Sequence, residues 1–137
     1  MNKIVVFSGN AHTQLAAGLC KRLKVRLSPA VITTFSNNCL GVQLQANCRQ
    51  EDVFIVQPLV PPVQEHLMEL LLMLDAARGA SAARITAVIP HFAYARSDKK
   101  DAPRISIAAR LVADLSAEAR QLVDVRYVTE FIAAART

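Results

Sequence analysis

The 137-residue sequence predicts one α/β layer domain, with a mostly parallel sheet flanked by helices and a β-hairpin excursion. Three observations carry this. Short apolar or β-branched runs alternate with longer stretches of helical periodicity. Two runs on either side of "SNNCLG" stand close enough to pair as a hairpin. No repeat, low-complexity tract or linker divides the chain, whose length suits a single domain with its own core.

Taken in order, Lys3 to Phe7 reads as a short buried strand, and "SGNAH" supplies turn residues before a helix over about Thr13 to Leu23. Val31 to Phe35 is β-branched, and Val42 to Gln45 alternates as a half-exposed strand does, so the two form the hairpin. Val53 to Gln57 is a further buried strand, and Pro61 and Pro62 stand where a helix begins. The helix over Val63 to Ala80 is apolar on most faces, with Glu65, Glu69, Asp75 and Arg78 as its charged positions and Gly79 as its stop, so it is expected to be covered. Arg84 to Ile89 is the next strand. Helical spacing resumes over Ile105 to about Leu115, with Ile107, Leu111 and Leu115 on one side. Beyond it the chain reads as helix to Leu122, a strand over Val123 to Tyr127 and a last helix from Thr129.

Composition narrows the classes. With 53% hydrophobic and 20% charged residues the chain is not disordered. Its net charge of +5 favours anionic ligands. Three cysteines, Cys20, Cys39 and Cys48, lack CxxC or Cys/His spacing, which argues against a disulfide framework or a zinc site and for a reducing, cytoplasmic setting. The longest apolar stretch, Leu67 to Leu74, is broken by Glu69, and the apolar run at the N-terminus is too short for a signal peptide, so no membrane association is expected.

The chemistry concentrates in "PHFAYARSDKKDAPR", Pro90 to Arg104, which leaves the carboxyl end of a strand, where ligands of open α/β sheets collect. Arg96, Lys99 and Lys100 suit phosphate, Arg96 in bidentate fashion. Asp98 and Asp101 suit orienting those cations or holding the water shell of magnesium. Phe92 and Tyr94 suit packing a base or anchoring the loop. On composition alone the favoured reading is a solvated loop whose charges neutralise one another. Nucleic-acid binding is a third reading, opposed by the few aromatics and the intervening carboxylates. No GxxxxGKS/T or GxGxxG loop is present, no GxSxG elbow supports a hydrolase, and His12, His66 and His91 have no metal-ligand spacing.

Together "FSGNAH" (Phe7 to His12), "FSNNCLGVQLQANCRQEDVFIVQ" (Phe35 to Gln57) and "LMELLLMLDAARGASAARITAVIPHFAYARSDKKDAPRISIAARLVAD" (Leu67 to Asp114) resemble the N-terminal domain of ribose-phosphate pyrophosphokinase, in the same order over about the first 115 residues. The resemblance implies a phosphoribosyltransferase-like fold and a reaction in which the β,γ-pyrophosphoryl group of magnesium ATP passes to the anomeric hydroxyl of ribose 5-phosphate. It implies ATP contacts from Arg96 and Asp101, with Ser97 where the family has Gln. It also implies that the hairpin, with Phe35 and Asn37, reaches an adenine across a subunit boundary, with Cys39 where the family has a carboxylate. Arg49 and Ser81 match its effector site for phosphate or ADP.

Residues 1–115 are thus expected to be the family domain and residues 116–137 a divergent closing segment of it. The family's Asp-Leu-His strand, its cationic catalytic loop and its ribose-phosphate loop are not matched, and "VDVR" has Arg126 where the histidine stands. No catalytic or metal-ligating residue is assigned, and the chain is expected to be inactive alone. The second expectation is a non-catalytic regulatory or scaffolding relative. Partners implied are a nucleotide or phosphate, further copies of the chain, and a full-length synthetase, with nucleic acid excluded.

Overall fold

A computed structural model describes residues 2–120. The strand expected over Val123 to Tyr127, the helix expected from Thr129 and Arg126 all lie outside those residues. The elements are β1 (Ile4–Ser8), α1 (Thr13–Leu23), β2 (Ala30–Thr34), β3 (Leu40–Leu44), β4 (Asp52–Val56), α2 (Val63–Gly79), β5 (Arg84–Val88) and α3 (Ala108–Arg120).

β4 lies between β1 and β5 in a three-stranded sheet, parallel to both. Ile4 pairs with Asp52 and Asp52 with Arg84, so Ser8, Val56 and Val88 finish level at the carboxyl edge. Because successive side chains leave a strand on opposite faces, Val5, Phe7, Val53, Ile55, Ile85 and Ala87 join Leu70, Met73, Leu74 and Ala77 of α2. Val6 and Val56 instead meet Ala16 and Cys20 of α1. Covering both faces is why these strands read as unbroken apolar runs. Phe7, Val53, Ile55 and Leu70 are wholly buried, and cutting Ile55 or Leu70 back to Ala costs about 2–5 kcal/mol.

The hairpin is a separate antiparallel sheet of β2 and β3, with Ala30 opposite Leu44 and Thr34 opposite Leu40. Ile32, Val42 and Leu44 pack on the α2 core, while Gln43 and Gln45 are exposed. The expected alternation holds, and the strand begins two residues earlier than Val42. A parallel bridge between Val6 and Leu27, with Ser28 N–H donating to Val6 O at 2.8 Å, ties the chain entering the hairpin to β1.

His12 caps α1, its Nδ1 accepting from Leu15 N–H at 3.0 Å. Lys24 ends it in the left-handed region at φ 56, its N–H turned back to Cys20 O and Lys21 O. α2 starts directly after the cis Pro61-Pro62 bond. α3 departs from expectation. It starts at Ala108, three residues after Ile105, and Arg104 before that stretch stands in the left-handed region at φ 59. Its packed stripe is Val112 and Ser116, whereas Leu111 and Leu115 are about half exposed at 52% and 45%. The helix also crosses the 115/116 boundary without interruption.

Candidate functional site

The carboxyl edge is joined by hydrogen bonds from element to element. Gly9 N–H donates to Val56 O at 3.0 Å, Gln57 N–H to Val88 O at 3.0 Å and Leu59 N–H to His91 O at 2.8 Å. At its centre the Gln57 side chain, wholly buried, accepts from Ala11 N–H at 3.1 Å. The same amide donates to Glu69 Oε1 at 3.0 Å and to His66 O at 3.3 Å. Glu69 Oε1 also accepts from Asn10 N–H. Every polar atom of this amide is satisfied, as burial requires. Gly9 makes the packing possible, since a Cβ there would lie 2.2 Å from Gln57 Oε1. Sequence reasoning placed Gln57 at a strand end and Glu69 among helix charges, and missed their pairing. The available signal was a lone carboxyl inside "LMELLLML".

From this edge the chain runs into the basic loop. Ile89 and Phe92 are buried and anchor its start. Ala95 N–H donates to Phe92 O at 3.1 Å and Ser97 N–H to Tyr94 O at 2.9 Å, turning the chain twice before Asp98. Ala109 N–H, in the first turn of α3, donates to Ser97 O at 3.2 Å and closes the loop. Arg96, Ser97, Asp98, Lys99, Lys100 and Asp101 are all exposed. Among the described residues the one ion pair is Asp75 with Arg78, so the loop's charges do not neutralise one another in contact pairs. Arg96, Ser97 and Asp101 therefore share one closed loop and are exposed on it.

Phe35 and Asn37 belong to the hairpin turn, where Phe35 N–H donates to Cys39 O at 2.8 Å and Asn38 N–H to Phe35 O at 2.9 Å. Asn38 takes the left-handed conformation at φ 66, which Asn tolerates better than most residues. Asn37 Oδ1 accepts from Cys39 N–H at 3.1 Å, leaving one lone pair and the NH₂ group for another partner. The Phe35 ring lies over Gly41, where a Cβ would come within 2.7 Å of Cζ, and the residue stays 53% exposed. A cleft of about 780 Å³ beside the turn is lined by the hairpin and by α2, with Cys39, Leu40, Met68 and Leu72 among its walls, and by no residue of the basic loop. No hydrogen bond or ion pair among the described residues joins the hairpin turn to Arg96, Ser97 or Asp101.

Arg49 and Ser81 are brought together at the opposite, amino edge. Arg49 bridges Ala82 in antiparallel fashion, and Gln50 N–H donates to Ser81 O at 2.9 Å. Gln50 and Ser81 both adopt positive φ, at 60 and 61. Arg49 N–H is held by Asn47 Oδ1 at 3.0 Å. The Arg49 and Ser81 side chains are exposed.

All three cysteines are free thiols, and burial pushes those of Cys20 and Cys48 above the usual thiol range. Among the described residues no group of three or more His, Cys, Asp or Glu side chains stands where it could hold a metal ion. No helix among them is long and apolar enough to cross a membrane.

Residues 4–119 match the model of the N-terminal domain of ribose phosphate pyrophosphokinase. A Streptomyces coelicolor protein assigned to ribose-phosphate pyrophosphokinase is 68% identical over 115 residues, which are 84% of this chain and 36% of that protein. The Deinococcus radiodurans ribose-phosphate pyrophosphokinase is 53% identical over 116 residues, 85% of this chain and 36% of the relative. The crystal structure of phosphoribosylpyrophosphate synthetase from Mycobacterium smegmatis superimposes with a TM-score of 0.83 at 40% identity, over 87% of this chain and 40% of that one. The sheet, its helices and the hairpin thus form a phosphoribosyltransferase-like fold. The chain spans a little over a third of the length of these relatives.

Proposed function

Since the chain belongs to the ribose phosphate pyrophosphokinase family, through the N-terminal domain of that enzyme, we propose that it is the nucleotide-holding part of such an enzyme. The family reaction transfers the β,γ-pyrophosphoryl group of magnesium ATP to the anomeric hydroxyl of ribose 5-phosphate and releases AMP. The observation that carries the reading is the loop closed by Ala109 N–H on Ser97 O, with Arg96 and Asp101 exposed at the carboxyl edge and making no contact ion pair among the described residues. Arg96 offers a two-pronged grip on phosphate oxygens. Ser97 donates a hydroxyl beside it. Asp98 and Asp101 are the carboxylates that suit the hydrated magnesium carried by the nucleotide, an ion that keeps most of its waters and is satisfied by one or two carboxylates plus phosphates.

Phe35 and Asn37 complete the adenine end from the hairpin of another copy of the chain. Support comes from their exposure, their separation from the loop within one chain, and the open lone pair on Asn37 Oδ1. Arg49 and Ser81 form an effector site for phosphate or ADP, supported by the bridge that sets their segments side by side. The setting is cytoplasmic, in keeping with three free thiols.

The 137-residue chain alone does not make phosphoribosyl pyrophosphate. Phosphoryl transfer rests on positioning and charge neutralisation, and among the described residues no group of three or more His, Cys, Asp or Glu side chains that could hold a metal ion accompanies the loop. A second reading, a regulatory relative that associates with a full-length synthetase, is favoured by Cys39 at the hairpin turn, where a thiol replaces the family's carboxylate acceptor. The deciding experiment measures nucleotide binding by calorimetry and AMP release with and without ribose 5-phosphate. Binding of magnesium ATP without ribose-dependent AMP is expected. Ribose-dependent AMP from the isolated chain overturns the inactivity, and absence of binding overturns the nucleotide site.

A further inference from the structure

We propose that a cleft at the amino edge of the sheet is a separate anion site, shaped for a small phosphate-bearing molecule. It encloses about 640 Å³ between the start of β1, the α1–β2 connection and the foot of the hairpin, a volume typical of small-molecule sites. Lys3, Lys24 and Arg26 line it with Asn2, Ser28 and Gln45, and no carboxylate does. It shares no lining residue with the Arg96 loop or with Arg49 and Ser81.

The charge there is not local chance. The first fifty residues contain six Lys or Arg and no Asp or Glu, the first carboxylate being Glu51. Among the described residues Lys3, Lys24 and Arg26 make no ion pair. The two carboxyl groups that follow are engaged by neutral donors, Glu51 by Lys3 N–H at 2.6 Å and Asp52 by Asn2 Nδ2 at 3.3 Å. Three cations thus line one concavity with no contact ion pair among the described residues, and a lining of one sign raises the local concentration of anions.

The backbone adds a donor. Asp52 N–H binds Lys3 O at 3.0 Å on the β4 side, and Ser28 N–H binds Val6 O at 2.8 Å on the other. Strand alternation therefore turns the peptide groups of Ile4, which lines the cleft, to the same side as those of Val6. An N–H there, in a cleft lined also by Lys3, Lys24, Arg26 and Ser28, matches tetrahedral oxyanion chemistry. Ile4, Val25 and Pro29 provide apolar surface for the rest of the ligand. The left-handed turn at Lys24, whose N–H closes on Cys20 O and Lys21 O, holds the position of that cation's backbone.

The test is an NMR titration of the 137-residue chain with inorganic pyrophosphate at constant ionic strength. Saturable shifts are expected at the amides of Ile4, Val25, Arg26 and Gln45, and they persist in Arg49→Ala and Arg96→Ala. Lys24→Asn with Arg26→Gln, Asn being tolerant of the left-handed region, weakens the response at least tenfold, while Lys24→Arg with Arg26→Lys keeps it. Shifts confined to residues 96–101 or to Arg49 and Ser81 overturn the proposal, as does a response that sodium chloride reproduces, which marks an adventitious ion only. If the neutral pair fails to melt cooperatively, Lys3→Gln takes its place, and unchanged affinity there is equally fatal.

Discussion

Gln57 and Glu69 hold each other in a buried side-chain hydrogen bond, Nε2 donating to Oε1 at 3.0 Å, beneath the loop that follows β1. Glu69→Ala leaves Gln57 Nε2 one partner short and Asn10 N–H without its acceptor. It is expected to lower stability by about 2–4 kcal/mol, since a buried polar group stripped of its partner bears its desolvation penalty. Urea unfolding measures it. Glu69→Gln, which keeps the acceptor oxygen, is expected to lose less than half as much, and equal losses would remove the hydrogen-bond account.

Gly9→Ala places a methyl 2.2 Å from Gln57 Oε1. The amide is tied at three points and has nowhere to retreat. We expect a loss of about 1–3 kcal/mol, partly recovered when Gln57→Ala is combined with it. Additive losses in that double-mutant cycle would show that the two positions do not meet.

In the basic loop, Arg96→Ala is expected to weaken magnesium ATP binding by about tenfold or more, in line with loss of a charge-assisted bond. Its melting temperature should stay within about 2 °C of the parent, because the side chain is exposed and makes no ion pair among the described residues. Ser97→Gln restores the longer amide of the family pattern and is expected to tighten binding. A calorimetric titration in which Ser97→Gln binds more weakly would detach Ser97 from the nucleotide.

Cysteine reactivity gives a third kind of test. Iodoacetamide is expected to modify the exposed Cys39 first, with Cys20 and Cys48 following only on unfolding. Burial raises both buried thiols, so their protonated forms are favoured in the folded state. The stability they contribute is complete below the unfolded thiol value and declines as pH rises from about 8.5 upward. Cys20→Ala with Cys48→Ala should flatten the alkaline limb of the stability profile.

Much of this architecture was legible, for reasons visible at single positions. α1 was read at Thr13 to Leu23 because "SGNAH" supplies turn residues before a run of helical apolar periodicity. The parallel sheet followed from strands alternating with helices, and the apolar runs of those strands are what burial by α1 on one side and α2 on the other requires. The orientation of α3 was not legible. Ile107, Leu111 and Leu115 make a helical stripe as convincing as Val112 and Ser116, and only the packing against α2 selects the second. Within the candidate site, Arg96, Ser97 and Asp101 were visible as a loop at a strand end. Gln57 was not, because one polar residue at the end of an apolar run looks like exposure until its partners are placed around it.

β5 is a mechanical element that joins two exposed segments. Ser81 and the Arg49 bridge stand just before its first residue, and the chain that becomes the Arg96 loop leaves its last. Its five residues are a strut roughly 17 Å long, hydrogen-bonded along its length to β4. A strand held in this way neither stretches nor folds. Its length and pairing fix the spacing between the Arg49–Ser81 segments and the start of the Arg96 loop, with one straight element and no turn between them.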